Sequence, residues 1–265
     1  MLLYIIISLF LILYKFQNVS AYTIINLWNL CLHYIRNKQN QQDSYNFKNA
    51  PGFQYAEVSK HPSIQKLNKL IIPKHYQIIK EINDLVKKGY NGYPMSQIDK
   101  TQGATFEQNG DLWRPIWIKF LDTYSGISDY LPTLKNIVQE MGDQIVLLHV
   151  SLFLPGTYLK PHYGITKGNL RYHYGLVIPQ GDIGLRIHNA TYRWKTGEGI
   201  QFDDTYLHSA WNKTNEYRLV IFADVPREMN WIMIKIHRGI LSLIQYTKHI
   251  KEIQEKLKAQ NIVID

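Results

Sequence analysis

Between Gln144 and Pro226 the chain is a series of short apolar runs cut by turn signals: "IVLLHVSLFL", "YHYGLVIP", "IGLRIHN", "GIQF" and "YRLVIFADV". Runs of this length, rich in Val, Ile, Leu, Tyr and Phe and bounded by Gly, Pro, Asn and Asp, are strands joined by turns. Many such strands in succession, with no helices between them, close into a sandwich or barrel. The expected fold class is therefore mainly β with flanking helices.

The flanks carry a different period. Residues 63 to 88 place Ile64, Leu67, Leu70 and Ile71, then Ile78, Ile79, Ile82, Leu85 and Val86 at helical spacing, interrupted by Pro73, which predicts two consecutive helices. From about residue 92 the texture turns to Gly, Pro and aromatic residues. Residues 228 to 260 predict an amphipathic helix in which Trp231, Ile232, Ile236, Ile240, Leu241 and Ile244 are mixed with Lys235, Arg238, Lys248, Lys251 and Lys256. Those charges argue against spanning a bilayer, so this segment packs on the sheet or lies on an anionic membrane face.

The opening stretch "MLLYIIISLFLILY" is uncharged and almost wholly apolar. A bilayer span needs about 20 such residues, which Phe16 to Val19 help to supply. The stretch reads as a single-pass signal anchor, or as a signal peptide cleaved near Val19-Ser20-Ala21. The missing basic n-region favours the anchor. Lys15, Arg36 and Lys38 would favour a cytoplasmic C-terminal side. The polar "RNKQNQQDSYNFKNA" that follows has the composition of a tether. The organisation expected is a membrane-anchor region at 1–35, a linker at 36–50, a β-rich domain with N-terminal helices at 51–230 and a basic helix at 231–265.

A chain of 265 residues with 45% apolar content can bury one full-sized core. Its net charge of +9 suits anionic partners, but the basic residues form no dense stripe and no recognisable nucleic-acid module, so nucleic acid is not an expected partner. A single cysteine, Cys31, excludes an intramolecular disulfide framework and a Cys-based zinc site. Sequons at Asn18, Asn189 and Asn212 would carry glycan only if the domain were lumenal.

The chemistry concentrates in three histidine segments: His162 after "PGTYLKP", His173 in "LRYHYGL" and His208 in "FDDTYLHSAWN". In a double-stranded β-helix, a loop near the start of the domain and a strand about 45 residues later reach opposite sides of one cavity. His162 and His208 could then share a metal, and imidazoles with an open coordination sphere suit iron oxygen chemistry. Gly164 stands where a two-histidine, one-carboxylate site would carry its acid. Arg218 lies on an apolar strand, which points it inward toward a buried anion. Asp203 and Asp204 either orient ligands or serve as turn carboxylates. Trp113, Trp117 and Trp194 read as core or cavity lining.

Four segments in order, "SLFLPGTYLKPHYG", "NLRYHYGLVIP", "YRWKTGEGIQFDDTYLHSAWN" and "YRLVIFADVPR", resemble the aspartyl/asparaginyl β-hydroxylase family of iron(II)- and 2-oxoglutarate-dependent oxygenases over roughly residues 113 to 230. The resemblance implies a double-stranded β-helix (jelly roll, cupin-like) core, with iron(II), 2-oxoglutarate and O2 as cofactor and cosubstrates. By it, His162 and His208 are the iron ligands and Gly164 is the family's own glycine in an H-x-G motif. Arg218 receives the far carboxylate of 2-oxoglutarate, with Ser151 as companion, and Arg171 and His173 form a basic catalytic pair lining the cosubstrate and substrate cavity. Asn169 stands where the animal enzymes carry a further arginine. The implied reaction is hydroxylation of a protein Asp or Asn side chain. The alternatives are hydroxylation of a membrane-lipid acyl chain, as in the bacterial branch that acts on lipid A, and a silent binding module of the same fold. On this reading Gly164→Asp would add a third potential ligand.

Overall fold

The computed structural model describes residues 20–38, 52–100 and 111–261. Its strands form two antiparallel sheets. The larger has seven strands in the order β1 (Phe53–Tyr55), β9 (Gly199–Phe202), β6 (Asn169–Val177), β11 (Arg218–Pro226), β4 (Leu147–Phe153), β2 (Trp113–Phe120) and β3 (Thr123–Tyr124). The smaller has four, in the order β5 (Tyr158–His162), β10 (His208–Asn212), β7 (Ile183–Ile187) and β8 (Ala190–Tyr192). From β4 onward the chain passes between the sheets, β4 to β5 to β6 to β7–β8 to β9 to β10 to β11. That winding is the double-stranded β-helix.

Strand periodicity gives the large sheet two unlike faces. Leu148 and Val150 of β4, Leu170, Tyr172 and Tyr174 of β6, and Ile221 and Ala223 of β11 point outward and pack beneath helices. Two of those helices, Pro62–Ile71 and His75–Lys87, fall where the periodicity predicts them, separated by a single turn at Ile72–Lys74 that accommodates Pro73. The third is Pro132–Met141. Ile64, Leu67, Ile71 and Ile78 are sealed at 0% exposure, and each such side chain stabilises the fold by about 1.5–3 kcal/mol. The opposite face meets the small sheet.

Two elements depart from the sequence reading. β2 is a strand inside the stretch that reads only as Gly, Pro and aromatic texture. Pro115 at its centre pairs with Ser151 on one side, while β3 covers only Lys119 and Phe120 on the other. A proline is tolerated on such an edge, and it hides the strand from pattern reading. The C-terminal segment is two helices, Trp231–Ile244 and Lys248–Lys258, rather than one. Thr247 donates from both its amide and its hydroxyl to Ile244 O (3.0 and 2.6 Å), a local turn that competes with helix continuation.

Of the predicted anchor region, residues 1–19 lie outside the described residues. Ala21–Lys38 is a helix. Its Ala21, Ile24, Ile25, Trp28 and Leu32 are buried against the inner-face core with Ile240, Ile244, Ile250 and Ile253 of the C-terminal pair. Among the described residues no helix is long and apolar enough to cross a membrane.

Candidate active site

Ser151, Arg171, His173 and Arg218 sit on the inner face of the large sheet, where alternate residues of β4, β6 and β11 point toward the small sheet, which carries His162 and His208. In register across the large sheet, Trp117, His149, Phe222 and His173 form one row, and Trp113, Phe153 and Arg218 a parallel one. His162 ends β5 and His208 begins β10, and these strands are neighbours in the small sheet with the two histidines directly paired. The histidines therefore do not face each other across the cavity, as the loop-and-strand expectation had it. They stand side by side on one wall, ring centroids 4.1 Å apart.

Both rings are oriented by the same local device. The Nδ1–H of His162 donates to Lys160 O (2.6 Å) and that of His208 to Tyr206 O (2.9 Å), each a carbonyl two residues earlier. This leaves Nε2 as the atom each ring has for a metal. Burial pushes His162 down to about 4 and His208 to about 3, so both are neutral imidazoles at physiological pH. Among the described residues no group of three or more His, Cys, Asp or Glu side chains is placed to hold a metal. What the wall offers is two nitrogens.

The space beside Gly164 explains the glycine. A Cβ there would fall inside the Asp204 carboxylate, and the Gly164 amide donates to Asp204 O (2.7 Å), tying the end of β5 to the turn that precedes His208. Gly164→Asp therefore cannot simply add a ligand, because the position its side chain would take is already filled. Asp204 itself is buried and pushed up to about 7 by desolvation, against the pull of Arg171. Asp203 caps the same turn through Thr205 and pairs with Arg227.

Arg218 is the most exceptional group in the molecule. It is 1% exposed. One NH2 donates to Ser151 Oγ (3.3 Å), which also accepts from Trp113 Nε1 (3.1 Å). Its Nε and NH1 have no partner among the described residues. The guanidinium lies 3.7 Å over the Phe153 ring and 4.4 Å over Trp194. Burial works strongly against its charge, yet arginine keeps its proton in proteins, so a buried cation awaits an anion.

Arg171 is different. Its Nε and NH2 fork onto Asp224 (2.9 and 3.1 Å) and its NH1 reaches Asp204 (2.8 Å), so two carboxylates already neutralise it. His173 is buried among Trp194, Phe202 and Phe222 with both ring nitrogens unpartnered among the described residues. Burial, then Arg218 and Arg171, push it well below its ordinary pKa. Both residues of the expected pair line the cavity, Arg171 held in an ion-pair network and His173 neutral.

The cavity between the sheets measures about 150 Å³. Its polar end holds His162, His208, Ser151, His173 and Arg218. Its other end is walled mainly by Ile25 of the N-terminal helix, Ile98, Trp117 and Ile244, Ile250 and Ile253 of the C-terminal helices, with Asp99 and His249 in contact with each other among them (3.5 Å). Sequence reading missed His149, which sits two residues before Ser151 and so shares its face, a signal that the apolar context of "IVLLHVSLFL" masks. It also missed His237, which is fully buried, takes the Trp28 indole N–H on Nδ1 (3.0 Å) and gives its Nε2–H to Asn169 Oδ1 (2.8 Å). Asn169 lines the cavity, with its Oδ1 held by His237. Asn212 is fully buried, its amide bonded to Phe153 O, Leu154 O and Glu216 O, so that sequon cannot report topology in the folded protein; Asn189 is exposed and can.

A 104-residue stretch is 35% identical to the ornithine lipid ester-linked acyl 2-hydroxylase of Rhizobium tropici, covering 38% of this chain and 37% of that protein. A 75-residue stretch is 40% identical to the aspartyl/asparaginyl beta-hydroxylase of Homo sapiens, covering 28% of this chain and 10% of that one. The matches thus span well under half of these relatives. Among solved structures, a Pseudomonas putida prolyl-4-hydroxylase overlaps 69% of this chain and 97% of its own at 12% identity, with a TM-score of 0.37, too slight a likeness to bear on chemistry. The profile of the family described as aspartyl/asparaginyl beta-hydroxylase matches residues 73–228, which is more than half of the chain and includes every candidate residue above, and the chain belongs to that family.

Proposed function

We propose that this protein is an iron(II)- and 2-oxoglutarate-dependent hydroxylase that oxidises a carbon of a membrane-lipid acyl chain. The observation that carries it is a buried, unneutralised Arg218 at the polar end of a cavity that also presents two neutral histidines. A dicarboxylate answers that cation, and the planar guanidinium can hold its far carboxylate in a fork, with the Ser151 hydroxyl beside it. His162 and His208 would hold the iron. When bound, iron(II) and 2-oxoglutarate supply the power to insert oxygen from O2 into an unactivated C–H bond. The chain's own part is to fix the cosubstrate through Arg218, hold both imidazoles neutral by burial and in one orientation through their carbonyl bonds, and keep water out with Phe153, Trp194, Phe202 and Phe222.

The apolar far wall favours a lipid chain over a polar protein side chain. Of the two arginines that line the cavity among the described residues, Arg218 is assigned to the cosubstrate and Arg171 is neutralised by Asp204 and Asp224, so neither is left for an aspartyl substrate. The similarity to an acyl 2-hydroxylase points the same way. A membrane attachment through residues 1–19, with the basic C-terminal helices against the bilayer, would bring the cavity to its substrate.

The test is succinate formation from 2-oxoglutarate by the full chain with iron(II), alone and with lipid or Asp-containing peptide added. Turnover that an acylated lipid stimulates and a peptide does not is the expected result. Stimulation by peptide alone would restore the side-chain reading, and no turnover, with His162→Ala binding iron as well as wild type, would leave a silent module.

A further inference from the structure

Besides the Asp99–His249 contact (3.5 Å), the apolar end of the cavity is interrupted by a second polar pair. Trp117 and His149 face each other in register across β2 and β4, ring centroids 4.6 Å apart. They are 4% and 1% exposed and both line the cavity. The indole Nε1 of Trp117 and the Nδ1 of His149 have no hydrogen-bond partner among the described residues. An indole nitrogen is a donor and nothing else, and a donor buried in an apolar wall without an acceptor is disfavoured.

This pair is separate from the Arg218 end. There the guanidinium lies 4.4 Å over Trp194, on which His173 stacks at 6.0 Å, whereas the Phe222 ring stands between His173 and His149, stacked on His149 at 4.3 Å and tilted against His173 at 5.0 Å. On the other side of Trp117 is Phe120, at 5.6 Å. The result is a small polar notch set among aromatic faces.

We infer that Trp117 and His149 form a subsite for the carbonyl oxygen of an acyl substrate, an ester or amide, distinct from the place of the cosubstrate. The inference rests on the acyl-chain reading above and adds to it the group by which the chain is held. A carbonyl suits the notch because it is neutral, like the pair, and because its oxygen accepts the indole N–H, and that of His149 in the tautomer that carries its proton on Nδ1. A carboxylate would ask for a free cation, and Arg171, which lies over Phe222 at 4.2 Å and acts on His149, is already paired with Asp204 and Asp224. With the carbonyl held, the alkyl tail is left to the apolar wall, and the carbons beside the carbonyl are the ones whose position the protein defines.

The experiment compares binding of methyl decanoate with that of decyl methyl ether, which has the same shape but no carbonyl, to the full chain with iron(II) and 2-oxoglutarate under argon. Wild type is expected to bind the ester about 10-fold more tightly. Trp117→Phe, which keeps an aromatic face and deletes the N–H, should bring the ratio near 1 with ether affinity unchanged. His149→Phe, which keeps the stack on Phe222, provides the second variant should Trp117→Phe fail to melt cooperatively. Equal binding of ester and ether by wild type, or a ratio preserved in the folded variants, overturns the subsite and leaves the acyl reading intact. Binding of neither compound overturns the acyl reading and the subsite with it.

Discussion

The two faces of the large sheet are made by the same strands, and alternate residues of β4, β6 and β11 divide the labour between them. The outer face is apolar, sealed and covered by helices: Leu148, Val150, Ile221 and Ala223 are all 0% exposed. The inner face carries Arg218, His149 and His173, equally buried but with ring and guanidinium nitrogens unmet among the described residues. Burial thus means opposite things on the two sides. Outside it contributes stability, and inside it withholds partners from polar groups so that a ligand can provide them.

The largest effect that would test this contrast is on chemistry. His208→Ala is expected to reduce succinate formation to background while the protein still melts cooperatively, and retained turnover would remove the histidine pair from the site. On the outer face, Ile221→Ala should lower the unfolding free energy by about 2–5 kcal/mol, read by urea denaturation, with the KM for 2-oxoglutarate unchanged. Arg218→Met should do the reverse: raise that KM on the order of 10- to 100-fold, since a charged hydrogen bond is lost, and leave stability unchanged or improved, because an uncompensated buried charge is gone. A large loss of stability in Arg218→Met would break the comparison.

The last effect is in pH. His149 and His237 are pushed down to about 3 and about 4, chiefly by burial. Unfolded, each would titrate near 6.5, so below that value the unfolded chain binds protons that the folded one refuses. Stability is fully present above about 6.5 and declines as the pH falls toward 4, by up to about 1.4 kcal/mol per pH unit for each. Urea denaturation between pH 7 and 4.5 checks this, and His149→Phe should show the shallower decline.

Much of this is legible in the order of the residues alone. The strand series predicts a closed β fold, and His162, His208, Ser151 and Arg218 do share one cavity. What the residue order hides depends on pairing across distance. That Arg171 is consumed by Asp224 follows from β6 and β11 lying in register, and that Gly164 is crowded by Asp204 follows from a turn folding back on β5; neither relation has a local signature. Pro115 conceals a strand, and the apolar neighbours of His149 conceal its shared face with Ser151.

The chain from Trp28 through His237 to Asn169 has a practical consequence for where the enzyme may be cut. A shortened protein starting at residue 50 looks natural from the polar composition of 36–50, but it would remove Ile25 from the cavity wall and the indole that fixes the tautomer of His237. Asn169 begins the strand that carries Arg171 and His173. Deleting the N-terminal helix would therefore be felt two residues from the site, and solubility gained by trimming would come with an enzyme open along one side.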